Sequence, residues 1–278
     1  MTRVAILQMN SGIDPDANAR TMIVAARRAR SDGAEIMFTP EMSGLLDRKR
    51  ARAAQSVTVE TEDRVLSAMR DVAAREGLWI AIGSLAVAVD DSGRWANRAF
   101  VIDGSGNIAA RYDKMHMFDV DLDEGESWRE SNVYEPGNEV VSVMTPAGRL
   151  GLSVCYDIRF PGLYDALGRH GCDVIAIPAA FTVPTGKPHW HVLHRARAIE
   201  ASAYVVAAAQ VGKHEDGRET YGHSLFVDPW GEVLLDLGGE GPALGYAEIK
   251  RERIAEVREK LPSLANRRDI AFDPRDTI

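Results

Sequence analysis

The chain has 278 residues, 45% of them hydrophobic and 27% charged, an ordinary globular composition that excludes disorder, collagen and coiled coil. Lys and Arg number 33 against 41 Asp and Glu, and a net charge of −8 is a poor basis for wrapping nucleic acid or coating an anionic membrane. No run approaches the ~20 apolar residues of a membrane helix, the start lacks a signal-peptide pattern, and two cysteines, Cys155 and Cys172, make no disulfide framework; the expectation is a cytoplasmic protein.

In chain order, Arg3–Met9 reads as a strand, about Asn18 to Arg30 as a helix ending at Ser31-Asp32-Gly33, and Glu35–Thr39 as a short buried strand before Pro40-Glu41. A helix over Glu62–Arg75 stops before Gly77. Trp79–Val89 is apolar and β-rich, and Asp90-Asp91-Ser92-Gly93 is a turn. Ala99–Asp103 and Ile108–Tyr112 flank Gly104-Ser105-Gly106-Asn107 as a hairpin. Lys114 to Gly137 has no clean period and reads as a long functional loop. Then follow a strand Leu150–Val154, a helix Pro161–His170, a strand Val174–Ile177, a loop Pro178–Pro188, a helix His189–Ala201 and an apolar strand Tyr204–Gln210. Ser224–Val227, Val233–Leu235 and Ala243–Glu248 read as a strand meander, Lys250–Lys260 as a closing helix, and the rest as a loose tail. The length allows one or two domains at roughly 100–200 residues each. With no linker and no repeat, the alternation of strands and helices points to one α/β domain over residues 1–278.

Three signals are set aside. Gly104-Ser105-Gly106-Asn107-Ile108-Ala109 has dinucleotide-loop spacing but leads into a strand instead of a helix. Gly222-His223-Ser224 opens like a serine-hydrolase elbow without its second glycine. His189, His191 and His194 lack a further ligand at zinc-like spacing, so no metal is expected.

Glu41, Lys114 and Cys155 differ in kind. Each lies at or just past the end of a strand, where α/β proteins place ligands. Taken singly, they read as a turn acid, a surface lysine and a small core residue. Together they supply a base, a cation and a thiol. A thiol needs a base or cation to become nucleophilic, and a cleaved amide needs its oxyanion stabilised and its amine protonated. The turn after Cys155, opening a helix, offers amides to an oxyanion.

Here the chain resembles a known family over nearly its whole length. Pro40-Glu41, Tyr112-Asp113-Lys114-Met115-His116 and Val154-Cys155-Tyr156-Asp157-Ile158-Arg159-Phe160-Pro161 look like the three catalytic motifs of the nitrilase superfamily of carbon-nitrogen hydrolases, in the right order. Asp113 replaces a more usual basic residue. Thr185–Trp190, Arg195–Glu200 and Tyr221–Gly231 resemble its Nit branch. The resemblance implies a four-layer α-β-β-α sandwich, a small-molecule amide substrate, a homodimer or higher homo-oligomer, and no cofactor. It implies Glu41 as general base, Lys114 as oxyanion partner, Cys155 as nucleophile and Glu130 as a second glutamate positioning Lys114 or substrate. It further implies an oxyanion contact from the Tyr156 amide and, in His116, a tie on the Lys114 loop. Ala207–Gln210 and Tyr221–Ser224 look closer to the branch members that release 2-oxoglutarate and cysteinylglycine from deaminated glutathione than to those acting on 2-oxoglutaramate. Arg159 is a candidate partner for a substrate carboxylate, or else forms a structural ion pair with Asp157 or another acid. Another nitrilase, carbamoylase or omega-amidase chemistry stays open, as does a non-catalytic interaction module, which the intact Glu41, Lys114 and Cys155 argue against.

Overall fold

In β1 (Thr2–Gln8) successive side chains point to opposite faces, and both faces are apolar. Val4 and Ile6 join one core; Ala5 and Leu7 join another. The same alternation holds in β2 (Ile36–Phe38), β3 (Trp79–Ala88) and β4 (Trp95–Ile102): Ile36, Phe38, Ala81, Ala99 and Val101 face one way, Met37, Ile80, Ile82, Phe100 and Ile102 the other. A sheet apolar on both faces must be covered on both. The computed structural model, which describes residues 1–89, 93–121 and 127–268, shows how.

These strands form a six-stranded sheet in the order β16-β1-β2-β3-β4-β5, with β5 (Ile108–Asp113) and β16 (Ala243–Ile249) at its edges. Two helices, α1 (Pro15–Ser31) and α3 (Arg64–Glu76), cover its outer face with Met22, Ala26, Val65, Met69 and Val72; a short α2 (Arg50–Ala53) lies between them in sequence. The second sheet runs β15-β14-β11-β10-β9-β8, comprising β8 (Ser142–Thr145), β9 (Gly148–Leu152), β10 (Val174–Ala176), β11 (Tyr204–Ala207), β14 (Leu225–Val227) and β15 (Val233–Asp236). It packs on the inner face of the first sheet, and α4 (Pro161–Arg169), α5 (Val183–Ala201) and α6 (Arg251–Lys260) add Leu163, Leu167, Trp190, Ala198 and Ile254 to that core. The layers are therefore α-β-β-α, as expected. Small hairpins pair β6 (Asp119–Asp121) with β7 (Ser127–Arg129), and β12 (Val211–Lys213) with β13 (Glu219–Tyr221). No helix among the described residues is long and apolar enough to cross a membrane.

Several boundaries differ from the sequence expectation, each for a physical reason. Helix α1 starts at Pro15 because Asp14 caps it, accepting from Asp16 N at 2.9 Å, and proline suits the first turn. Helix α5 begins at Val183, inside the expected loop. Pro184 sits where no backbone donor is needed, and Gly186 lets the helix lie on the Tyr221 ring, where a Cβ would come within 2.4 Å of Cγ. Strand β16 leaves the expected meander and pairs antiparallel with β1, from Thr2↔Ile249 to Gln8↔Ala243. The segment expected to be a structureless loop after Lys114 contains β6, β7 and a 3-10 turn over Glu130–Asn132. The hairpin around Gly104–Asn107 is present, with Gly106 at φ +83°. Residues 90–92 of the expected 90–93 turn, and residues 269–278 of the expected tail, lie outside the described residues.

Candidate active site

Three strand ends converge on one cavity of about 890 Å³. Glu41 follows β2, Lys114 follows β5 and Cys155 follows β9, and all three line it. The Glu41 loop is pressed against β3. Gly83 N donates to Thr39 Oγ1 at 3.1 Å, and a Cβ on Gly83 would come within 2.2 Å of Thr39 O. Lys114 Nζ donates to Glu41 Oε1 at 3.0 Å and to Glu130 Oε1 and Oε2 at 3.0 and 2.8 Å. Asn97 Nδ2 donates at 3.0 Å to each of the two glutamates, and Ala180 N donates to Glu41 Oε2 at 2.8 Å. Phe118 N also donates to Glu130 Oε2, at 2.7 Å. The lysine and both carboxylates are thus held from every side, with the Lys114 side chain 2% exposed and that of Glu41 6%.

Electrostatics assign the charges. Burial alone would raise Glu41, but the Lys114 ammonium and hydrogen bonds from Cys155, Lys114 and Ala180 outweigh it, so the carboxyl lies below its ordinary value. Burial would likewise lower Lys114; Glu130 and Glu41 reverse this and hold it well above the ordinary ammonium value. Burial, joined by the Glu41 charge, pushes the Cys155 thiol well up. The resting set is carboxylate, ammonium and neutral thiol, with Glu41, Lys114 and Cys155 on one cavity. Cys155 itself sits at φ +50°, a left-handed conformation that a non-glycine residue adopts only under constraint. It opens a 3-10 turn over Cys155–Arg159, where the first N–H groups, that of Tyr156 included, lack intrahelical acceptors.

A buried carboxylate organises this turn. Asp157 accepts from Val154 N at 2.8 Å, from Tyr112 Oη at 2.7 Å and from His116 N at 3.0 Å, and lies 2.7 Å from His116 Nδ1. His116 stacks on Phe160 with ring centroids 3.6 Å apart. It therefore joins the Lys114 loop to the Cys155 turn and does not line the cavity. From the other side Arg197 donates to Ile158 O through Nε and Nη2, at 2.8 and 2.7 Å. Tyr156 lines the cavity; Arg159 does not. The turn carries the Arg159 guanidinium over the rings of Tyr156 and Phe181, 5.8 and 5.4 Å from their centres, and to within 3.4 Å of His189 Nδ1. Arg159 is thus not among the cavity-lining residues, and Asp157, one acid raised as its partner, is engaged by Val154, Tyr112 and His116. The histidines on α5 diverge. His194 is buried in the core, and His191 turns to Asp236 at 2.9 Å, where His223 is 3.0 Å away on the same carboxylate. Asn97, Asp157 as turn organiser, Ala180 and Gly83 are the functional positions that the sequence reading missed. The one available signal was Asn97 and Arg98 interrupting an otherwise apolar strand.

Residues 3–259 match the family pattern described as carbon-nitrogen hydrolase. A protein of Yersinia enterocolitica named deaminated glutathione amidase is 38% identical over 273 residues, covering 96% of this chain and 93% of the relative. Among solved structures, the Caenorhabditis elegans NitFhit protein superposes with a TM-score of 0.89 at 34% identity over 96% of this chain, which spans 65% of that longer chain. The amidase of Nesterenkonia sp. AN1, solved as a glutamate-to-glutamine mutant with acrylamide added at its active site cysteine, gives a TM-score of 0.79 at 25% identity, covering 94% of this chain and 98% of that one.

Proposed function

The chain belongs to the carbon-nitrogen hydrolase family, and we propose that it is a thiol amidase in which Cys155 is the nucleophile, Glu41 the base and Lys114 the oxyanion partner. The observation that carries this reading is the convergence of Cys155 and the buried Glu41–Lys114 ion pair, 3.0 Å long, on one cavity. The match over residues 3–259 supports a single hydrolase domain.

The chemistry runs in two halves. Glu41 takes the Cys155 proton as sulfur attacks the substrate carbonyl, so thiolate never has to persist in the buried site. Charge develops on the carbonyl oxygen within reach of Lys114 and the unengaged Tyr156 amide. Protonated Glu41 passes its proton to the departing nitrogen, the C–N bond breaks, and the amine leaves a thioester on Cys155. Glu41 then takes a proton from water as its oxygen attacks the thioester, and the sulfur leaves with that proton. Glu130 keeps Lys114 charged throughout, and Asn97 holds both glutamates in register. The Tyr112–Asp157–His116 group positions the two loops without touching substrate.

The substrate we propose is the amide joining a 2-oxoglutaryl group to cysteinylglycine. Its support is the name borne by the Yersinia relative, at 38% identity, and the cavity of about 890 Å³, within the range of small-molecule sites. The test is a panel of deaminated glutathione, 2-oxoglutaramate, N-carbamoyl amino acids and nitriles with products identified by mass spectrometry. Deaminated glutathione is expected to give the highest kcat/KM, and nitriles the lowest. Faster turnover of 2-oxoglutaramate would move the substrate, and no amide turnover at all would remove the proposed activity.

A further inference from the structure

The cavity around Cys155 opposes the sign of the chain. Its charged lining comprises Arg48, Lys49, Arg50, Lys114, Arg129 and Arg218 against Glu41, Asp47, Glu130 and Glu219, in a protein of net charge −8. Most of these charges are matched locally. Lys114 lies between Glu41 and Glu130. Arg52 holds Asp47 through two bonds of 2.6 and 2.9 Å, Asp121 holds Arg129 through two of 2.8 Å, and Arg50 reaches Gly93 O at 3.0 Å. Among the described residues, Arg48 and Lys49 remain without a paired acid, Arg218 is paired with Asp216 outside the lining, and Glu219 is the unmatched acid.

Two of those cations share one built support. Asp216, its side chain fully buried, accepts from the backbone N–H of Arg48 at 2.9 Å, from that of Arg218 at 3.0 Å and from Arg218 Nε at 2.7 Å. A single carboxylate therefore ties the Arg48 loop to the β12–β13 hairpin and fixes the Arg218 side chain. The Arg218 guanidinium lies 5.2 Å from the centre of the Trp128 ring, itself part of the cavity wall. A side chain built at Gly217 would lie 4.0 Å from Arg48 Nη2, so both guanidinium groups border the same turn. Among the described residues, neither the two Nη nitrogens of Arg218 nor the Arg48 guanidinium has a hydrogen-bonding partner. An arginine immobilised through Nε and one ring face, with its outer fork open to a cavity, has lost its rotamer freedom in advance. That is the arrangement that binds a planar oxyanion in two-point fashion.

We propose that Arg218 and Arg48 form a carboxylate subsite of this amidase, holding a carboxylate of the substrate away from the scissile amide. The proposal deepens the reading above and rests on it. The proposed substrate has two carboxylates, one on the acyl half and one on the glycine of the amine half, and the subsite takes the chemistry they share.

The test is the ratio of kcat/KM for acidic amides to that for a neutral amide, butyramide, in wild type, Arg48→Gln, Arg218→Gln and Arg159→Gln. Removing one charge-assisted contact is expected to lower the ratio roughly tenfold to a hundredfold, mainly through KM, in the first two variants, and to leave it in place in the third. Equal falls for deaminated glutathione and 2-oxoglutaramate place the acyl carboxylate in the subsite. A fall for deaminated glutathione alone places the glycine carboxylate there. Arg218→Gln leaves Asp216 short of a partner and can unfold the hairpin. Arg48→Gln keeps its backbone bond to Asp216, so that variant decides the matter if the other does not fold. Calorimetric binding of glutarate to Cys155→Ala protein, with and without Arg48→Gln, needs no turnover. If wild type hydrolyses no acidic amide, the proposed substrate fails, while glutarate binding still reports on the subsite. An unchanged ratio with unchanged glutarate affinity, or a fall seen in Arg159→Gln alone, overturns the proposal.

Discussion

Replacing Gly83 by alanine is expected to cripple catalysis without altering a reacting group. The added Cβ would lie 2.2 Å from Thr39 O and 2.4 Å from Pro40 C and O. Non-bonded carbon-to-backbone contacts shorter than 3.0 Å are essentially never seen, and the near atoms belong to backbone, which cannot rotate aside. Relief needs the Thr39–Pro40 segment to retreat by about 0.8 Å, the difference between those two distances. Glu41 is the next residue, and its carboxylate is set by contacts of 2.8–3.0 Å to Ala180, Lys114 and Asn97. A displacement of the order of 1 Å in a catalytic group costs roughly a hundredfold in rate, while overpacking itself costs about 1–3 kcal/mol of stability. The assay is kcat/KM on the best amide of the panel beside urea unfolding, with Gly162→Ala as control. A Cβ at Gly162 meets nothing within 4 Å, so this α4 change should gain about 0.5–1 kcal/mol and leave turnover alone. A stable Gly83→Ala enzyme with wild-type kcat/KM would refute the claim that this close packing sets the base.

The remaining predictions concern the thiols, the pH profile and an unused histidine. Iodoacetamide is expected to modify Cys155, 8% exposed on the cavity, well ahead of the sealed Cys172; Cys155→Ala should abolish turnover and stay folded, Cys172→Ala should keep it, and mass mapping with kinetics checks all three. Glu41→Gln should slow both alkylation and hydrolysis, since the buried thiol ionises only by handing its proton to that carboxylate. With Glu41 held below the ordinary carboxylate value of 4.5, and Cys155 and Lys114 held above 9.0 and 10.5, no member of the triad changes charge in between. The kcat/KM profile should be flat across that window and fall only as acid protonates Glu41; an acid limb centred near the usual histidine value, about 6.5, would point to a different base. His194 is fully buried with its pKa pushed down to about 3, chiefly by burial. The unfolded chain binds its proton first, so stability is lost as pH falls below 6.5, by about 2 kcal/mol at pH 5; urea unfolding of His194→Gln at pH 7.5 and pH 5 should show that much less acid sensitivity, and an equal loss in both proteins would contradict it.

What could be read along the chain is what neighbouring residues decide. Val154-Cys155-Tyr156 announces a nucleophile because an apolar strand, a cysteine and a helix-opening turn are consecutive, and Pro40-Glu41 and Asp113-Lys114 mark strand ends in the same way. The Gly104–Asn107 hairpin needed only its own turn residues. Glu130 came from family resemblance, and the structure sets it beside Lys114 at 2.8 Å. Alternation on the pleat made strands legible, but not their partners: nothing within Ala243–Ile249 says that it pairs with β1 instead of continuing beside β15, since pairing is decided by packing between segments over 230 positions apart. The same limit hid the site's supports. Asn97 bridges Glu41 and Glu130 across separations of 56 and 33 residues, and the Ala180 amide reaches Glu41 across 139. Arg159, four residues after Cys155, looked well placed because sequence gives proximity without direction; the 3-10 turn sets its guanidinium over the rings of Tyr156 and Phe181. Arg48 and Arg218 carried no signal along the chain, because the buried carboxylate that joins them, Asp216, lies 168 residues from the first. Local stereochemistry and periodicity act over a few residues, and so they single out the candidate reacting groups; which face, which partner and which charge is matched follow only once the two sheets are packed together.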